Sequence, residues 1–458
     1  MTAPSTAATP ATATTALPLS RDQLQQMAEL ALNHARSLGA TDAEVEVSVS
    51  VGQNVTVRLD EVETIEYNRD KGLSITAYIG QQKGAASTSD LSRDAIERTV
   101  AAACAIAKYT AADEAAGLPD ADRLAVAPYP DLGLNTPWRV DVPQSIEIAR
   151  RMEAAAFAVD KRIDNSEGAT VSSHDGDFVY ANTRGFMGGY PTSRVSLSAS
   201  MIASQDGAMQ TDYWYSVARG EAGLDSPEEV GRLAGERTVR RLGARRVPTG
   251  DVPVLFDPSM ASGLISHFVG AVSGSSLYRK ASFLLDSLGT RIFAPCVNIR
   301  EDPHLRGALG SAPFDAEGVA TSPRELVGAG TLNGYFLGSY SARKLGMQST
   351  GNAGGNHNLI VEPGALDFAG LVREMGRGLV VTQLMGQGVN NVTGDYSRGA
   401  VGFWVENGEI AWPVEEITIA SNLKDMFTGI VSIGKDVEAK GSRHVGSILI
   451  DRMSVAGE

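Results

Sequence analysis

Apolar positions first recur with a helical period. Leu24, Met27, Ala28, Ala31, Ala35 and Leu38 lie three or four apart, which predicts an amphipathic helix. Ser20 stands before it as an N-cap with Gln23 placed for a capping box, and Gly39 is placed to stop it. The period then falls to two. Val45, Val47, Val49 and Val51 alternate with polar residues, as do Val55, Val57 and Leu59. Leu73, Ile75, Ala77 and Ile79 resume the alternation after a turn expected at Asn68–Gly72. Such alternation implies a sheet with one buried face and one that is wet or covered by something polar. A second helix is expected over Ser92–Lys108, with Ile96, Val100, Ala103 and Ala107 on one stripe and Cys104 beside it as a small core residue.

The pattern then breaks into a Pro/Asp/Leu-rich connector, residues 117–137. Asp141–Asp160 reads as a helix with Pro143 in its first turn, followed by short strands such as Phe178–Ala181 and Arg194–Ile202, punctuated by Asp175-Gly176-Asp177 and Gly188-Gly189. Ser226-Pro227-Glu228-Glu229 is a helix start, with a cap, proline at the first helical position and an acid at the third. That helix ends among Arg237, Arg240, Arg241, Arg245 and Arg246, cations that offset a helix dipole. Beyond the boundary at 246–250, Val252–Phe256 reads as a strand. Asp257-Pro258 then caps a helix that turns Leu264, Ile265, Phe268 and Val272 inward and carries His267. Short strand-like runs follow: Arg291–Val297, Thr331–Leu337, Leu359–Pro363, Glu416–Ile419, Ile430–Ile433 and Ser447–Ile450. The expected fold class is α+β: a two-part N-terminal α/β region (19–116 and 138–245) and a β-rich, barrel-like C-terminal domain (251–458). Residues 1–18, almost all Ala, Thr and Pro, are expected to be a disordered tail, and they lack the basic and apolar regions of a signal peptide.

Composition narrows the function classes. The 458 residues are 43% hydrophobic and 21% charged, with a formal charge of −14, which fits a soluble protein and disfavours a surface that grips nucleic acid or anionic lipid. No apolar run reaches the roughly 20 residues of a spanning helix. The two cysteines, Cys104 and Cys296, imply neither a disulfide framework nor a zinc knuckle, and a cytoplasmic location is expected.

Candidate chemistry is sparse. A helical zinc-protease site needs two histidines one turn apart and a glutamate beside the first. His267 is followed by Phe268, and Val272 stands where a second ligand would be. The other histidines include His174; His34 and His444 are isolated; His304 has acidic neighbours but no second ligand nearby; His357 lies in a Gly/Asn loop suited to a polar contact. No Gly-x-Ser-x-Gly elbow is present. The most distinctive stretch runs from Met385 to Val405, crowded with glycines and polar residues, and leads to Asn407-Gly408, a hairpin turn joining Phe403–Glu406 to Glu409–Trp412. Its simplest reading is a pair of loops at a sheet edge. Within it, Gly386, Gln387, Gly388, Asp395, Tyr396 and Arg398 are the candidate contacts: they orient a peptide, meet a partner subunit, or fix the loop.

The segments Tyr278–Gly289, Ser339–Gly346, Met385–Ile410 and Ile417–Met426 closely resemble the TldD/PmbA family of zinc-dependent peptidases, specifically its PmbA (TldE) branch, and the resemblance covers nearly the whole chain after the tail. It implies a subunit of a cytoplasmic peptidase assembly that degrades unfolded peptides and removes leader peptides. In that family the TldD subunit holds zinc with His-Glu-x-x-x-His and a later Cys. Set onto this chain, the motif falls on His267, Phe268 and Val272, and the region of the Cys on Lys440–His444, which contains none. The resemblance therefore implies no catalytic residue and no bound zinc in this chain. Zinc would belong to a TldD-like partner in a heterodimer, although a homodimer is also open, and unfolded peptide would bind as an added strand. The competing classes are a self-sufficient peptidase with a metal site assembled from His304, His357 and carboxylates, a non-enzymatic peptide-binding homodimer, and a DNA-topology regulator, the last at odds with the charge of −14.

Overall fold

The computed structural model describes residues 17–457. Most of the expected tail lies outside the described residues; Leu17, counted in that tail, packs with Leu19 against the first core. Helix α1 (Arg21–Ser37) begins with the expected capping box, Ser20 and Gln23 each accepting the other's amide. Strands β1 (Asp42–Arg58) and β2 (Glu61–Ile79) form one long hairpin, and β3 (Gln82–Thr88) covers only Leu73–Ile79 of β2. The turn is Leu59-Asp60, both at positive φ (52° and 66°). No turn forms at Asn68–Gly72. There β2 runs on, held in a ladder that extends from Arg58 opposite Glu61 to Asp42 opposite Tyr78. A continuous ladder with one buried face outweighs the local turn preference of Asn, Asp and Gly. Leu59 consequently sits exposed at the hairpin tip instead of continuing the alternation.

Helices α2 (Arg93–Tyr109) and α3 (Val142–Phe157, capped by Asp141) flank the connector. Strands β4 (Ile163–Asn182), β5 (Met187–Gly188), β6 (Pro191–Gln205) and β7 (Ala208–Ala218) complete a seven-stranded sheet of order β3-β2-β1-β4-β6-β7, with β5 on β4. Asp175-Gly176-Asp177, expected to interrupt strands, lies inside β4, where β1 and β6 pair with it on both sides. One sheet thus runs through both N-terminal parts. The valines of β1 alternate inward, packing at one end with α1 and α2 and at the other with α3 and α4 (Pro227–Arg240). The opposite face carries Glu46, Ser48, Ser50, Asn54 and Thr56 on β1 and Ser196, Ser198 and Ser200 on β6.

Arginines in the last turn of α4 and just beyond it make contacts within this region and across to the rest of the molecule. Arg237 stacks on Trp214, Arg240 on Phe403 and Arg245 on Trp412, while Arg241 donates to the Thr211 carbonyl and to Gln383. They are spent on internal contacts, as the structural reading of that cluster expects.

Strand β8 (Gly250–Phe256) leads through Asp257, whose carboxylate caps the Met260 amide, into α5 (Pro258–Ala271). Short strands β9 (Ile299–Glu301), β10 (Arg324–Gly328), β11 (Thr331–Leu332) and β12 (Leu359–Val361) precede β13 (Gly378–Met385), β14 (Asp395–Glu406), β15 (Glu409–Asn422), β16 (Ile430–Ile433), β17 (Arg443–His444) and β18 (Ile448–Ala456). β9–β12 and β17 make a small sheet. β8, β13, β14, β15 and β18 close into a five-stranded barrel, because β15 pairs with both β14 and β18. The α+β class with a barrel-like C-terminal domain is therefore the observed one. Arg291–Val297 is not a strand: only Arg291 bridges, to Thr331, while Phe293 and Val297 are buried. Its apolar spacing records a coil plugging the core. Likewise only Thr331–Leu332 of Thr331–Leu337 is strand.

Candidate functional site

Helix α5 carries the position where a metal motif would lie. Phe268 is wholly buried, edge-on to Phe293 at 5.2 Å and near Phe427 at 6.5 Å. Val272, at the helix C-cap, is buried as well. Both therefore belong to the core. His267 points the other way and meets the ring of Tyr396 edge-on, 5.9 Å between centroids. Burial, followed by the charge of Arg398, lowers its pKa, so the imidazole is neutral near pH 7.

Tyr396 and Arg398 come from β14, one strand of the barrel. Tyr396 is buried, which pushes its phenol up to about 12, and the adjoining Arg398 pulls in the opposite direction. The Arg398 Nε is buried with no hydrogen-bond partner. The glycine-rich stretch is not a sheet edge, since β14 is paired to β13 on one side and β15 on the other. Two of its glycines allow backbones to touch: a Cβ on Gly388 would lie 1.8 Å from the Ser397 carbonyl oxygen, and one on Gly402 would lie 1.8 Å from that of Val380. Gly386 needs its positive φ of 80° to leave β13. Asp395 is tied down by Thr393 Oγ1 at 2.6 Å and Asn422 Nδ2 at 3.2 Å, so it fixes the loop. Gln387 is exposed, and its carbonyl accepts from the Val389 amide. The structure thus gathers His267, Tyr396 and Arg398, and leaves Gln387 and Asp395 at the barrel's end.

A second feature carries no sequence motif. Between the polar face of the N-terminal sheet and the C-terminal loops 312–316 and 353–357 lies a cleft of about 630 Å³, within the range of ligand pockets. Glu46, Ser48, Ser50 and Asp70 line one side; Phe178, Tyr190 and Phe314 form an aromatic cluster, with Phe178 edge-on to Tyr190 at 4.8 Å. Asp315 forms part of the other wall, accepting the amides of Glu317, Val319 and Ala353, each at 2.9 Å. Burial nonetheless pushes its pKa up to about 7. Sequence reasoning missed these residues individually; the signal it held was the polar alternation of β1, which required something to cover that face.

Family profiles described as PmbA/TldA metallopeptidase domain 1, central domain and C-terminal domain match residues 43–107, 135–242 and 249–457. The Metalloprotease PmbA of Escherichia coli O157:H7 is 50% identical over 416 residues, covering 91% of this chain and 92% of that protein. The chain belongs to the PmbA/TldD family. A PmbA homolog of Haemophilus influenzae is 48% identical across 98% of this chain and 99% of its own length. Among solved structures, a putative modulator of DNA gyrase from Bacteroides thetaiotaomicron superposes with a TM-score of 0.91 at 29% identity, covering 96% of this chain and 100% of that one. TldE from Thermococcus kodakarensis shares the fold, with a TM-score of 0.82 at 20% identity over 94% and 100% of the two chains.

A metallopeptidase family implies a divalent metal, and the donor set on α5 does not fit one. A single imidazole with phenylalanine and valine in the flanking motif positions offers neither a second ligand nor a base. Among the described residues, no group of three His, Cys, Asp or Glu side chains is arranged to hold a metal. His304 Nε2 meets the Thr321 hydroxyl at 3.1 Å and His357 Nε2 the Gly351 carbonyl at 2.9 Å, so the two rings do not converge on a common ligand position.

Proposed function

We propose that this chain is the non-metal, TldE-like subunit of a TldD/TldE-type zinc metalloprotease. It would pair with a zinc-bearing homologue and supply part of the wall of the cavity in which unfolded or leader peptides are cleaved. The observation that carries this reading is the pair Phe268 and Val272: where the motif would place a base and a ligand, the chain has hydrophobic core. A carboxylate at the first position would be desolvated among phenylalanines, so the helix is built for packing. The cleft against the polar sheet face, with Glu46 and Asp70 beside an aromatic cluster, suits an extended segment with basic or aromatic side chains. Hydroxyl-rich strands also meet peptide backbone without demanding one sequence. The free thiols Cys104 and Cys296 fit work in the reducing cytoplasm.

Two features disfavour a nucleic-acid-binding role: the formal charge of −14, and the engagement of the α4 arginines within the fold. The test is bound zinc and cleavage of unfolded casein, measured on the purified chain alone and after mixing with a homologue that retains His-Glu-x-x-x-His. The reading expects substoichiometric zinc and no cleavage alone, and cleavage in the mixture. One zinc per chain with unaided cleavage would overturn it.

A further inference from the structure

The cleft on the polar sheet face holds acceptors that nothing in the chain uses. Glu44, Glu46, Ser48 and Ser50 stand on one face of β1. Glu44 is satisfied: the phenols of Tyr78 and Tyr180 donate to its two oxygens at 2.8 and 2.7 Å. Glu46 is not. Among the described residues its carboxylate has no hydrogen bond and no ion pair, and partial burial raises its pKa. Asp70, farther along the cleft and opposite Ser50, has no partner either. The cations that could answer these acids are placed elsewhere. Among the described residues Lys71 is the only lysine or arginine lining the cleft, and by the strand's period of two it stands with Val49 on the helix-covered face. Arg219, near Tyr190, donates to the carbonyls of Ser193, Ala308 and Leu309.

An ionised carboxylate offers only acceptors, so whatever meets Glu46 must donate. The surfaces around it favour a cation on a long stem. Tyr180 lies directly across from Glu46 on β4, and Phe178 across from Ser48. Tyr190 packs edge-on against Phe178 at 4.8 Å. Burial pushes its phenol up to about 12, Arg219 pulling down and the nearby charge of Glu46 adding to the rise. The hydroxyl itself makes no hydrogen bond among the described residues. Aromatic faces beside a partly desolvated acid hold a cation better than a neutral donor. The floor between them is bare. Gly72 lies opposite Ser48 and Gly176 opposite Ser50, and a Cβ on either glycine would meet nothing nearer than 3.5 Å. That gap accommodates a methylene chain.

We propose that this end of the cleft is a subsite for a lysine or arginine side chain of the bound peptide, with the cation seated between the Glu46 carboxylate and the rings of Tyr190 and Phe178 and the stem lying over Ser48. The subsite rests on the reading of this chain as a wall of the peptide cavity, and it adds selectivity to that reading. The hydroxyl-rich face accepts any backbone, while Glu46 selects the charge.

The experiment is fluorescence anisotropy with labelled Gly/Ser decapeptides carrying one central lysine, norleucine or glutamate, titrated with the full chain alone. Norleucine keeps the stem and lacks the ammonium. The lysine peptide is expected to bind roughly tenfold more tightly than the norleucine peptide. Glu46→Gln should remove that difference by weakening lysine binding alone, and Glu46→Lys should turn the preference toward the glutamate peptide; thermal melts verify that both variants fold. A lysine peptide that binds no tighter than its norleucine counterpart, or a preference that survives Glu46→Gln, would overturn the subsite. Casein cleavage by the chain mixed with its zinc-bearing homologue separates the two claims. A mixture that cleaves, with no lysine preference in the chain, refutes the subsite alone; a Glu46-dependent preference in a chain whose mixture cleaves nothing refutes the subunit reading alone.

Discussion

At the residue scale, the chemistry of this chain is decided by which way two neighbours on α5 face. His267 looks toward Tyr396 and Arg398, while Phe268 sits between Phe293 and Phe427 in the core. Restoring the acid with Phe268→Glu should therefore not restore a metal site. It should destabilise the fold by about 3–5 kcal/mol, because a carboxyl group would be buried without a partner and aromatic packing lost. Chemical denaturation measures this, and a variant as stable as the parent would show that the position opens to solvent. Asp315 supplies a pH dependence. Its native pKa of about 7 lies above the ordinary 3.8, so between those values the native state holds a proton that the unfolded chain has released. Its contribution to stability is thus full below about pH 4 and is lost as pH rises through 7. Comparing denaturation midpoints of the parent and Asp315→Asn from pH 4 to 8 should show a downward slope in the parent that the variant lacks; parallel curves would remove Asp315 as the cause.

At the element scale, local signals were legible where one residue does one job. Ser20 with Gln23, Asp141, Ser226 and Asp257 all cap the helices they precede, because a side-chain oxygen satisfying a free amide acts within three residues. Asn407-Gly408 makes its hairpin with both residues at positive φ, 53° and 76°. Turn signals failed where a long ladder overrode them. Asn68–Gly72 and Asp175-Gly176-Asp177 look like turns to a short window, yet lie inside strands of 19 and 20 residues fixed by neighbours far away in sequence. The same competition hid the site. The crowding of glycines around Gly388 and Gly402 is visible in the sequence, but barrel closure, which pairs β14 on both sides and removes it as an edge for peptide, depends on β15 meeting β18 across the chain. A free strand edge lies instead on β2 from Glu61 to Gly72, and it is legible only once that strand is known to be continuous.

At the scale of the whole molecule, one sheet with a helix-covered face and a polar face is held against a closed barrel, partly by arginines stacked on Phe403 and Trp412. That arrangement places a cleft on the polar face and keeps α5, the helix of the lost metal motif, inside the C-terminal core. Family membership and the core packing of Phe268 and Val272 on α5 underlie the proposed division of labour, in which another subunit carries the chemistry and this chain shapes the space around the peptide. The most direct measurement is a reciprocal substitution in the reconstituted pair, read as the initial rate of casein cleavage. Changing the glutamate of the homologue's His-Glu-x-x-x-His motif to glutamine should reduce the rate by roughly 10²–10⁴-fold, the range of a lost general base. His267→Ala in this chain should leave the rate within about twofold, since His267 packs edge-on against Tyr396 with Phe268 and Val272 where the motif would place its base and second ligand. Loss of cleavage on His267→Ala, in a pair that still assembles and melts normally, would contradict the account and place part of the chemistry in this subunit.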